Sequence, residues 1–160
     1  MKPITIQIEG VVPLAPPEIC AGILDTERWS EFQGYGILPG IRHAHMETKT
    51  PGVLGSRIRV HNTDGSSHVE EIVEWDVNRR IALRFQEFDS PVQHFATHFL
   101  EAWEFRPAAG GTRVTRRMTM FPRGLFGWLM LLPISRLMKK AFEAQALVPN
   151  APQHSTEKAA

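Results

Sequence analysis

The sequence is poor in cysteine, in tyrosine and in net charge. Its single cysteine, Cys20, excludes an internal disulfide, so the fold needs no oxidising compartment. Eighteen basic and seventeen acidic residues leave a formal charge of +1, which argues against a strongly electrostatic partner, and no nucleic-acid target is expected. Long apolar runs are missing too. The longest, over 124–132, is followed by Pro133 and then by Arg136, Lys139 and Lys140, far short of the roughly 20 residues a spanning helix needs. Residues 1–8 alternate rather than run apolar, so no signal peptide is expected and the expected location is cytoplasmic. No internal repeat and no interdomain linker is visible.

What is present suits one globular domain. Apolar residues make up 42% and charged residues 22%, a balance that excludes global disorder. A chain of 160 residues buries roughly 70% of its unfolded surface, enough for a core with a cavity inside it. Residues 1–148 are expected to form that domain. Residues 149–160 hold two prolines and few apolar groups and are expected to be a disordered tail.

Periodicity sets the element order. Ile4, Ile6 and Ile8 alternate with Thr5, Gln7 and Glu9, the pattern of a strand with one buried face. Pro16 and Pro17 suit a helix start, with Glu18 favoured by the helix dipole. A second helical turn is expected over 28–32 and a glycine-rich loop over 34–40. Six strands follow, over 41–48, 56–62, 67–76, 80–88, 96–106 and 112–121. Tight turns such as Asn62-Thr63-Asp64-Gly65 make them an antiparallel meander, and the first strand can pair with the last. Ile134, Leu137, Met138, Ala141, Phe142 and Gln145 follow the i, i+3, i+4 rule of a long final helix. Pro133 is expected to kink this helix or to separate it from a shorter one.

This order resembles the helix-grip fold of the START/pollen-allergen-like (SRPBCC) superfamily, and within it the polyketide cyclase/dehydrase and lipid transport family. The resemblance rests on the Pro17-Glu18 helix start, Asp25-Thr26-Glu27-Arg28-Trp29, Pro51-Gly52-Val53-Leu54-Gly55-Ser56, Glu74-Trp75-Asp76 with Arg79-Arg80-Ile81, and Gly110-Gly111-Thr112-Arg113-Val114-Thr115. It spans about residues 4 to 148. It implies an α+β fold, in which a seven-stranded curved antiparallel sheet wraps around a long C-terminal helix, with two short helices after the first strand. It also implies an apolar ligand cavity. These are turn and packing motifs, so they carry no catalytic residue across.

Strand alternation then selects inward side chains. The expected ligand contacts are Ile58 and Val60, then Glu71, Val73 and Trp75, then Leu83 and Phe85. The last two strands add Phe99, Glu101, Trp103, Arg116, Met118 and Met120. The final helical region adds Trp128, Leu129 and Leu137. Three of these, Glu71, Glu101 and Arg116, are charged. If Trp103 opposes Val114, Glu101 opposes Arg116 at about 5 Å between Cβ atoms, and pairing is the expected solution for charges in a dry interior. Such a pair reads either as a structural ion pair or as an anchor for a ligand carbonyl or hydroxyl, with Glu71 as a third polar group. Glu71, Glu101 and Arg116 are also the candidates for catalysis, a carboxylate acting as general base.

Other features fit less well. His43 and His45 share a strand face, but sequence alone cannot place a third ligand, although His61 and Glu47 lie nearby in strand order. His94 and His98 have the i, i+4 spacing of helical zinc sites, but no Glu follows His94 and their neighbours follow a strand pattern. No metal and no cofactor is expected. Gly34-Tyr35-Gly36 lacks dinucleotide-site spacing. Cys20 reads as a small buried residue. The segment 125–132 is apolar on every side, more than a helix lying on a sheet requires. Its surplus reads as core, as a cavity lid, as a dimer contact, or as a membrane-surface contact backed by Arg123, Arg136, Lys139 and Lys140.

The leading functional reading is binding of a small hydrophobic ligand (a lipid, quinone or polyketide-like aromatic) in a cavity between sheet and final helix. The alternatives are a cyclase/aromatase-type enzyme and a protein- or membrane-interaction module. Monomer and homodimer are both open.

Overall fold

A computed structural model describes residues 1–89, 91–145 and 147. The tail expected over 149–160 lies outside the described residues. Strand β1 (Ile4–Val12) leads into helix α1 (Pro16–Leu24), whose first turn holds both prolines, and the Glu18 carboxylate accepts from the Ala15 N–H at 2.7 Å. The expected second helical turn is a 3-10 turn over Thr26–Glu31. The indole N–H of Trp29 donates to the Ile23 carbonyl at 2.9 Å and ties this turn back to α1. Six strands follow: β2 (Ile41–Thr48), β3 (Arg57–Asn62), β4 (Ser67–Asp76), β5 (Arg80–Gln86), β6 (Ala96–Ala108) and β7 (Gly111–Pro122). The chain ends its described course in α2 (Gly124–Ala144).

The seven strands form one antiparallel sheet in the order β1-β7-β6-β5-β4-β3-β2. The first strand does pair with the last, from Ile4 opposite Met120 to Val12 opposite Thr112. The sheet curves around α2, which packs against β1 and β7. Two apolar clusters fill the concave side. One gathers Ile19, Ile23 and Trp29 with Ile58, Val60, Ile72, Leu83 and Trp103. The other gathers Phe95, Phe99, Met118 and Met120 with Leu131, Met138 and Phe142. Cys20 is buried in the first cluster, and burial pushes its thiol up to about 11.

Helix α2 runs through Pro133 as one element rather than two. Proline removes the bond to the carbonyl four residues back, and its ring crowds that carbonyl. That carbonyl belongs to Leu129, a half-exposed residue, and the buried stripe on either side of Pro133 holds the two halves as one helix. The buried stripe is Gly127, Leu131, Ser135, Met138, Ala141 and Phe142. Leu125, Phe126, Leu129 and Met130 are exposed instead, so these four side chains do not join the core.

At Gly127 helix α2 lies directly against the Phe95 backbone. A Cβ there would run into the carbonyl oxygen of Phe95. In an exposed helix Ala would be favoured over Gly by about 1 kcal/mol. Here the obstacle is backbone, which cannot rotate away, and overpacking decides the sign. Gly127→Ala is expected to lower stability by about 1–3 kcal/mol in urea denaturation. A rise in stability would show that α2 stands further from the sheet.

Candidate ligand cavity

Between the two clusters lies a cavity of about 480 Å³, within the range of small-molecule sites. The sheet contributes Leu83 and Phe85 from β5, Phe99, Glu101 and Trp103 from β6, and Arg116 and Met118 from β7. Helix α2 contributes Ile134, Leu137, Met138 and Phe142. The segment between the 3-10 turn and β2 supplies Phe32, Ile37, Leu38 and Pro39, and the β3–β4 hairpin supplies Asn62, Asp64 and Ser66. That segment is pinned to the hairpin: Thr63 N–H donates to the Gly40 carbonyl at 2.9 Å, and Gly40 N–H to Thr63 Oγ1 at 3.1 Å. Arg28, Glu31 and Asp64 are exposed members of the lining and belong to its opening.

Four buried polar side chains line the cavity: His68, Glu70, Glu101 and Arg116. Arg116 Nε donates to Glu101 Oε1 at 2.5 Å. The guanidinium lies between two rings, 4.8 Å from the Trp103 centroid and 3.7 Å from that of Phe142. One cation thus joins the sheet to α2. Among the described residues no other hydrogen bond engages Arg116, so its terminal N–H groups have no protein acceptor. Beside this pair, His68 Nε2 lies 3.2 Å from Glu70 Oε1, and the imidazole stacks on Phe85 at 5.3 Å.

Burial pushes the Glu70 carboxyl above its ordinary value of 4.5; the hydrogen bond and charge of His68 oppose the rise, nearby Glu101 adds to it, and Arg116 opposes it. A raised folded-state value favours the protonated form. Its contribution to stability is complete below the unfolded value and is lost as pH rises through the folded one. Glu70→Gln is therefore expected to gain stability relative to the parent as pH rises above 4.5. Urea denaturation across pH 4–8 checks this, and a difference that does not vary with pH would contradict it.

Several sequence-selected residues do line the cavity: Leu83, Phe85, Phe99, Glu101, Trp103, Arg116, Met118 and Leu137. Others do not. Ile58, Val60 and Met120 point inward but are fully enclosed by the two clusters. Trp75 packs against the first cluster rather than the cavity. Trp128 and Leu129 lie on the first half of α2, away from the lining. Glu71 faces the opposite side of the sheet, where Gln86 donates to it at 2.7 Å and Arg57 lies 3.7 Å away. Val73 falls at the irregularity between Ile72 and Glu74. That bulge reverses the phase of β4. Trp75 and Ile72 therefore share the inner face, and counting back from Trp75 in twos selects the wrong side chains.

The same shift hid His68 and Glu70. Their signal lay in the hairpin, because residues paired across a ladder share a face. Val60 pairs with His68, and Ile58 with Glu70. The Glu101–Arg116 contact forms, but diagonally, since Trp103 opposes Arg116 and Glu101 opposes Met118. The two-residue turn at Ala109-Gly110, with Gly110 at φ 86°, moves the register by two positions from the expected pairing.

The sequence profile described as polyketide cyclase/dehydrase and lipid transport matches residues 3–147. The chain belongs to this family. Known structures agree in fold. TTHA0849 from Thermus thermophilus is 20% identical, with a TM-score of 0.64 over 88% of this chain and 90% of that one. Ara h 8.0201 is 16% identical, with a TM-score of 0.59 over 89% and 96%. The major latex-like protein 151 of Panax ginseng is 13% identical, with a TM-score of 0.54 over 88% and 97%. Among curated protein sequences none matches. The family places the chain in the SRPBCC superfamily, whose members generally take small hydrophobic ligands. No helix of the described residues is long and apolar enough to cross a membrane.

Proposed function

We propose that this cavity binds one small apolar molecule carrying an oxygen at one end. The observation that carries the reading is Arg116, a buried cation that lines an otherwise mostly apolar space and has donors left over. Donors left unpaired against an apolar space cost free energy. A carbonyl, hydroxyl or carboxylate on the ligand relieves that cost, while its hydrocarbon part lies against Phe99, Met118 and Met138. Lipids, quinones and polyketide-like aromatics all fit this description. Titration with a polarity-sensitive fluorescent fatty acid tests it. Saturable one-to-one enhancement, reversed by an unlabelled apolar competitor, is expected; no saturable enhancement would contradict it.

The enzymatic alternative draws its support from the His68–Glu70 contact. A carboxylate with a raised value beside an imidazole, both lining the cavity, is a usable proton-transfer pair. Glu101 and Arg116 line the same cavity, whereas Glu71 sits with Gln86 and Arg57 on the other face of the sheet. Turnover of a cyclisable polyketide that Glu70→Gln abolishes, with binding retained, would favour this reading.

A further inference from the structure

On the opposite, convex side of the sheet, the structure brings together three histidines that sequence spacing could not assemble. His43 pairs directly with His61 across β2 and β3, and His45 lies two positions further along β2. All three project outward, because the alternate residues Ala44 and Met46 pack against the core. The rings are nearly parallel: His43 and His61 are 4.4 Å apart at their centroids, and His45 and His61 are 5.7 Å apart. One ring nitrogen from each lies within 4.8 Å of the others.

We propose that His43, His45 and His61 bind a divalent transition-metal ion of the zinc, nickel or copper type. Imidazole is a good ligand for these ions. Tetrahedral coordination at 2.0–2.1 Å places ligand nitrogens about 3.4 Å apart. His43 and His45 are exposed, so modest side-chain rotation closes the remaining distance. Three protein ligands leave a coordination position for water or an external anion. Of the cations that act on His61, Arg59 and Arg42, the first is offset by carboxylates and the second is held by a neutral carbonyl. Arg59 donates to Glu47 at 2.8 Å and reaches Glu87 at 3.4 Å, and Arg42 donates to the Thr63 carbonyl at 3.3 Å. Strand β2 is the sheet edge, so the ion would also fasten an edge strand to its neighbour.

The test is titration of the untagged full chain with Zn²⁺ in competition with a chromogenic chelator. One ion per chain, with a Kd tighter than about 100 μM, is expected. His61→Gln and His43→Gln should each weaken binding about tenfold or more, whereas His94→Gln should leave it unchanged. Both ligand positions accept glutamine without loss of buried apolar packing, and circular dichroism would verify the fold. A Kd weaker than about 100 μM, or binding indifferent to both ligand substitutions, would overturn the proposal.

Discussion

Arg116→Met lowers the free energy of unfolding by about 3–5 kcal/mol, the cost of stranding one member of a buried ion pair. Glu101 is 4% exposed and loses its partner at 2.5 Å. Glu70, buried alongside, is a second carboxyl whose charge Glu101 already opposes. The substitution also removes the cation between Trp103 and Phe142, and with it one link from sheet to helix. Domains of this kind are held together by about 5–15 kcal/mol in all, so the variant is marginal at 25 °C. Methionine retains much of the apolar stem, which makes the charge the main variable. Adding Glu101→Leu should recover most of the loss, since a buried pair replaced by apolar residues is often neutral or better. Denaturant titration of the single and double variants measures both. A single-variant loss below about 1 kcal/mol would mean that the pair is solvated.

The second large effect concerns the cavity itself. Leu83→Trp combined with Met138→Trp enlarges one side chain on the sheet wall and one on the helix wall. Filling space that is already open should change stability little, unlike overpacking a closed core. Apolar-ligand affinity should fall about 100-fold, close to 3 kcal/mol. Leu129→Trp, on the exposed face of α2, should leave affinity within about twofold. Fluorescence titration separates these outcomes. If both variants weaken binding equally, the ligand lies on the surface of α2 and not in the cavity.

Much of the fold was legible because its signals are local. Alternation marked the strands, Pro16–Pro17 the first helix, and glycine-bearing turns the hairpins. Details that depend on one residue of register were less legible. The bulge after Ile72 moved Glu71 outward, and the turn at Gly110 set Glu101 diagonal to Arg116. The convergence of His68 and Glu70 followed from pairing with Val60 and Ile58, information that lies in the hairpin and not in either strand alone. The continuity of α2 through Pro133 is a tertiary matter, decided by the buried stripe on either side of it. Likewise, the three outward histidines needed the β2–β3 register before they became a cluster.

The central claim is that the apolar ligand lies inside, between sheet and α2. The methionines provide internal reporters. Met118 and Met138 line the cavity, Met120 is enclosed beside it, Met46 packs on the other cluster, and Met130 is on the exposed apolar face of α2. Selective ¹³C labelling of the methionine methyl groups, followed through titration with a medium-chain fatty acid, reads each position separately. The Met118 and Met138 signals should shift saturably while Met1, Met46 and Met130 stay in place. Shifts led by Met130, with Met118 and Met138 unmoved, would contradict the cavity and place binding on the outer surface of the helix.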